Sequence, residues 1–135
     1  MPFSFLDHTA DVRMLVRGNN LKDLFLSGLL GVVDFLKPEK EKNAKGIKRV
    51  VEIDSFDKTS LLIDFLNGCL FLMQSNYEFY SEANFEILEE KRLRAELKGL
   101  RAKSFKEEIK AITHHEAEIK ESEDGLLETI IIFDI

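Results

Sequence analysis

The apolar residues of this 135-residue chain change their period near Tyr77, and that change does most to restrict what it can fold into. Before it, two long segments repeat apolar residues at helical spacing. One runs through Leu21, Leu24, Phe25, Leu29, Val32 and Phe35, the other through Leu61, Leu62, Phe65, Leu66, Cys69, Leu70 and Met73. Such spacing buries one stripe of a helix, and the wider arc of the second makes it the more buried of the two. After Tyr77 the period is two, in Ala83–Leu88, Leu93–Leu97, Ile109–Thr113, Glu116–Lys120 and Thr129–Ile135. A period of two is that of a strand with one buried face. Ile130-Ile131-Ile132-Phe133 is apolar on both faces, which marks a central strand.

One further strand precedes each helix, Val12–Arg17 the first and Ile47–Ile53 the second. Asn20 is placed to cap the first helix, Leu21–Leu36, and Ser55 or Asp57 the second, which should run to about Gln74. Gly28 and Gly31 either weaken the first helix or let something pack close against it. Lys37–Gly46, with Pro38 and alternating charges, is the expected mobile stretch. The order strand, helix, strand, helix, then several strands predicts an α+β class. We expect one domain over residues 1–135, with two main helices packed on mixed, largely antiparallel sheet.

Charge restricts function more than fold. A formal net charge of −6 opposes avid binding to bare nucleic acid, which draws on Lys and Arg to neutralise phosphates. Lys98, Arg101, Lys103 and Lys106 cluster in sequence, and a solvated loop accounts for them. The start, Met1-Pro2-Phe3-Ser4-Phe5, does not read as a signal peptide, and Leu61–Met73 is too short to span a bilayer. A cytoplasmic location, away from membranes, is expected. The lone Cys69 cannot form an internal disulfide and reads as core.

Three segments carry chemistry. Asp7-His8-Thr9-Ala10-Asp11 offers hard oxygen ligands ahead of the first strand, although Asp and Thr there also serve turns and caps. Asp134 breaks an apolar run beside the terminal carboxylate of Ile135. Two such anions repel unless a cation sits between them, or the end is simply frayed and solvated. In Ile109-Lys110-Ala111-Ile112-Thr113-His114-His115 the paired histidines would point to opposite faces of a strand, so they cannot easily share one metal. HExxH, paired CxxC, Walker, GxGxxG and GxSxG patterns are absent from the sequence.

Taken together these segments resemble the archease family. The matching features are Asp7 to Asp11 after an aromatic-rich start, Leu61-Leu62-Ile63-Asp64-Phe65-Leu66-Asn67, Ile109-Lys110-Ala111-Ile112-Thr113, and the final Phe133-Asp134-Ile135, in the family order. Ile112 and His114 stand where the family usually has Val and Tyr, Leu100-Arg101 where it has an acidic residue, and Leu126-Leu127 where it has an aromatic. The resemblance implies an accessory protein, not an enzyme, that activates the GTP-dependent RNA-splicing (tRNA) ligase by promoting its guanylylation and multiple turnover. It implies a divalent cation, calcium or in the cell magnesium or manganese, on Asp11, Asp134 and Ile135. Lys110 and His8 are then the residues expected to act on the partner, with RNA met only through the ligase. A chaperone-like modulator of RNA-modifying enzymes and a metal-dependent hydrolase are the alternatives. The hydrolase would draw its base from His8 or His115.

Overall fold

The computed structural model describes residues 2–6 and 11–135. Asp7, His8, Thr9 and Ala10, and with them the proposed role of His8, lie outside the described residues. Among the described residues nine strands and two helices follow in the order β1 (Phe3–Leu6), β2 (Val12–Gly18), α1 (Leu21–Leu36), β3 (Pro38–Lys40), β4 (Gly46–Asp54), α2 (Lys58–Asn76), β5 (Glu78–Leu88), β6 (Arg92–Phe105), β7 (Ala111–Thr113), β8 (Lys120–Glu121) and β9 (Leu127–Asp134). They form two sheets. In one, β1, β2, β9 and β7 are neighbours in that order and β8 also pairs with β9. In the other, the long β6 pairs with β3, β4 and β5. Among the described residues every pairing is antiparallel. The α+β class with two helices on antiparallel sheet is as expected.

Local chemistry explains where the helices begin. The Asn20 carboxamide oxygen accepts the Asp23 N–H at 2.9 Å, and the Asp57 carboxylate accepts the Ser60 N–H at 2.7 Å, each satisfying an otherwise orphaned donor. Asp57 is therefore the cap, while the Ser55 hydroxyl donates to Asp64 at 2.5 Å. Both helices stop at a left-handed residue, Lys37 and Tyr77, whose N–H returns to the carbonyl four positions back.

Tertiary packing then decides the arrangement. Each helix touches both sheets, α1 through β2 and β5 and α2 through β4, β5 and β7. Val12, Met14 and Val16 turn inward from β2, as the alternation required. Gly31 lets α1 press on β2, since a Cβ there would come within 2.3 Å of the Met14 sulfur, and Gly28 lies against Leu66 of α2. Phenylalanines fill the remaining space in two groups. Phe25, Phe65 and Phe85 meet with ring centroids 5.5–6.1 Å apart, and Phe35 sits 5.4 Å from Phe133 with Phe5 beside both. Each fully buried ring or leucine contributes about 1.5–3 kcal/mol, so packing rather than helix propensity holds α2 in place.

Several expectations need correction. Lys37–Gly46 contains β3 and the first residue of β4, and the Glu41 N–H bonds to the Arg101 carbonyl. Glu116–Lys120 is not a strand apart from Lys120. Its alternation places Ile119 inward, but the Glu118 and Ile119 N–H groups bond to the hydroxyls of Thr129 and Thr59 instead of a ladder. The strand expected at Leu93–Leu97 continues to Phe105, so Lys98, Arg101 and Lys103 lie on β6 and not in a loop. The short β1 was not anticipated. Among the described residues no helix is long and apolar enough to cross a membrane.

Candidate functional site

The antiparallel register brings the predicted residues to one end of the first sheet. Val12 of β2, Phe133 of β9 and Ile112 of β7 form a registered row, and all three side chains are buried. In the next row Ala111 pairs with Asp134, and Asp11 lies one position beyond the last β2–β9 pair. Successive rows face opposite sides of a sheet, so the Asp11 and Asp134 carboxylates belong to the outer face, and both residues are exposed. Ala111 leaves room beside Asp134 that a larger side chain would fill. Ile135 follows, 42% exposed. Behind this end, Phe133 anchors β9 against Phe35 and Phe5.

Lys110 stands at the same end. Its backbone N–H donates to the Asp134 carbonyl at 2.7 Å, and its side chain is exposed. Among the described residues its ammonium has no carboxylate within 4.0 Å.

Two residues that the sequence did not single out for this role hold the lysine segment. The Asn67 carboxamide donates to the Ile112 carbonyl at 2.7 Å and accepts the Ile112 N–H at 2.9 Å. Gln74, two turns further along α2, treats Ile109 in the same way at 2.9 and 3.1 Å. Two side-chain amides thus replace a neighbouring strand along the free edge of β7. Lys110 lies between the two clamped positions and bonds to β9 on the other side, so a flexible side chain springs from a fixed backbone. The sequence signals were the place of Asn67 in the archease-like Leu61–Asn67 segment and, for Gln74, a second amide seven residues further along the same largely apolar helix.

His114 and His115 follow the end of β7. The strand stops at Thr113, so the expected opposite-face geometry does not apply. His114 lies 3.6 Å from Asp64, and the His115 N–H donates to the Thr113 hydroxyl at 3.3 Å. Among the described residues no three His, Cys, Asp or Glu side chains gather as a ready metal cage. A cation here would need Asp11, Asp134 and oxygens of Ile135 together, and that all-oxygen, anionic set suits a hard divalent ion. Elsewhere, burial pushes the Cys69 thiol up, in keeping with a core residue. Glu78, 1% exposed, is satisfied by Arg49 through three contacts of 2.7–3.1 Å.

Two helices packed on antiparallel sheets, with an acidic strand end beside a lysine on the clamped segment that leads into β7, place the molecule in a small α+β class. The chain belongs to the Archease protein family, whose model matches residues 3–135. It is 32% identical over 139 residues to protein archease of Methanothermobacter thermautotrophicus, with 98% of each chain covered. It is 30% identical to the Archaeoglobus fulgidus protein archease, again over 98% of each, and 29% identical to that of Danio rerio, over 98% of this chain and 85% of the other. A solution structure from Methanobacterium thermoautotrophicum superposes with a TM-score of 0.70 at 28% identity, covering 99% of both chains. A crystal structure from Thermotoga maritima, described as an archease and possible chaperone, shares the fold with a TM-score of 0.67 at 19% identity, over 96% of this chain and 94% of that one.

Proposed function

We propose that this chain is a cytoplasmic, metal-binding accessory protein that activates the GTP-dependent RNA-splicing ligase by promoting its guanylylation and repeated turnover. The observation that supports this reading is a matter of register: Asp11, Asp134 and Ile135 lie at the sheet end where Lys110 bonds to β9, and among the described residues Lys110 makes no ion pair. Asp11, Asp134 and the terminal carboxylate of Ile135 would hold the cation, whose charge offsets their mutual repulsion. Lys110 is a point charge able to reach phosphate oxygens on a partner while its backbone stays clamped. A chain of net charge −6 meets RNA through the ligase more readily than by itself. Guanylylation of the ligase, measured with and without this protein, tests the proposal directly. An unchanged rate would remove it.

The cation has its own test. At 100 times its dissociation constant a bound ion adds about 2.7 kcal/mol, which for a domain of this size raises the melting temperature by roughly 5–10 °C. Calcium, magnesium or manganese should produce that rise more readily than zinc, and Asp134→Asn should abolish it. Identical melting curves in chelator and in millimolar cation would show that no such site exists.

Lys110→Ala should leave stability within about 1 kcal/mol, as exposed substitutions usually do. It should still bind metal, yet stimulate guanylylation at least about tenfold less, a loss of about 1.4 kcal/mol in the transition state. Full stimulation by this stable variant would take Lys110 out of the mechanism.

A chaperone-like role is the second reading, favoured by Phe56 at 76% and Phe71 at 69% exposure. Suppression of client aggregation with no effect on guanylylation would put it first. GTP hydrolysis by the purified protein, lost in Asp11→Asn, would instead promote the hydrolase.

A further inference from the structure

A cavity of about 450 Å³ opens where α2 ends against the last residues of β6, and neither Asp11 nor Asp134 lines it. Its walls include the rings of Tyr77 and Phe105, with centroids 6.0 Å apart and planes inclined at 43°. Glu107, Glu108 and Lys106 complete the rim. We propose that this cavity receives an arginine side chain of a protein partner.

The wall is rigid and the aromatic surface is available. Gln74, which also lines the cavity, has both ends of its amide committed to Ile109, and Phe105 is held in the β3–β6 pairing opposite Pro38. Tyr77 remains 53% exposed and has φ 54°. Glycine or asparagine ends a helix in that left-handed conformation with less strain than a bulky ring does. Here the ring faces solvent across the cavity, where its stacking surface is open to a ligand.

Charge selects the ligand. Among the described residues the side chains of Lys106, Glu107 and Glu108 make no ion pair and no hydrogen bond. Lys106 offsets one carboxylate and leaves the other unbalanced, so the rim is net negative and repels phosphate. A cation is favoured, and the ring favours a planar one. Guanidinium stacks on an aromatic face while its N–H groups bind carboxylate side by side, which the compact lysine ammonium cannot do. Arginine is also enriched among the residues that carry binding energy at protein interfaces. The volume is ample for one such side chain. None of this depends on the cation or the ligase.

The test is a titration of the isotope-labelled full chain, followed by amide NMR, with N-acetyl-arginine amide, N-acetyl-lysine amide and AMP as separate probes. The arginine probe should saturate in the millimolar range, with shifts confined to Gln74, Tyr77 and the segment from Ser104 to Glu108. The lysine probe should bind about threefold or more weaker, and AMP should leave these amides unmoved. Tyr77→Asn keeps a residue that tolerates the left-handed conformation while removing the ring, and Glu107→Gln with Glu108→Gln removes the charge. Each should weaken the arginine probe at least about fivefold in a folded protein. Non-saturating shifts, equal binding of arginine and lysine probes, or preferential binding of AMP would each overturn the proposal.

Discussion

Gly99→Ala is expected to be the most damaging single-methyl change in the second sheet. Tyr80 of β5 pairs with Gly99 of β6, and the register of β5 shifts immediately after that pair. The bulge carries the β5 backbone so close that a Cβ on residue 99 would lie 1.8 Å from the Phe79 carbonyl oxygen and 2.7 Å from its carbonyl carbon. Those atoms are backbone, so no rotamer change relieves the contact. Either β5 and β6 part, breaking pairs on both sides of the bulge, or the register slips and turns Tyr80, which is fully buried, toward the other face. Overpacking of this kind costs about 3 kcal/mol or more. Denaturant titration should show a midpoint lowered by that free energy divided by the slope, with the slope itself unchanged. A loss below 1 kcal/mol would mean that the strands do not approach as described.

Asn67→Ala should have the second largest effect, and it reaches the functional end. The substitution removes both bonds to Ile112 and leaves the N–H and carbonyl of a residue only 3% exposed without their partner on α2. Each unsatisfied group costs roughly 1–3 kcal/mol, so a total near 2–4 kcal/mol is expected. Hydrogen exchange should accelerate across residues 109–113 before the rest of the protein responds. Asn67→Asp separates the two bonds, because its carboxylate accepts from the N–H but repels the carbonyl. It should fall between wild type and Asn67→Ala. If the Lys110 side chain works from a clamped backbone, Asn67→Ala should also stimulate guanylylation less, at temperatures where the protein remains folded. Unchanged exchange at residue 112 would show that the amide clamp contributes nothing.

Both helices, their buried stripes and the Asn20 cap are legible in the sequence because each depends on neighbours within a few residues. The local pattern likewise locates β2 with its inward face, and the positions of β4 and β9, since a strand's period is a local property. It misleads at Glu116–Lys120, where inward residues alternate but the hydrogen bonds go to threonine hydroxyls supplied from Thr59 and Thr129. It stops short on β6, where Gly99 and Ala102 weaken the apolar signal although pairing continues to Phe105.

The acidic end shows the same division. Asp11, Asp134, Ile135 and Lys110 can be selected from the sequence by residue type and by resemblance to archeases. Their convergence rests on β2, β9 and β7 being neighbours, a pairing of segments more than a hundred residues apart for Val12 and Phe133. Asn67 is legible as part of the archease-like segment and Gln74 as an amide on a buried helix, but neither shows its partner. That they act as a substitute strand for the backbone of Ile109 and Ile112 is a long-range match of donors and acceptors. Periodicity and caps record short-range energies, so the sequence determined them by itself. Register, sheet order and the amide clamp record which distant groups satisfy one another, and only the tertiary structure decided those.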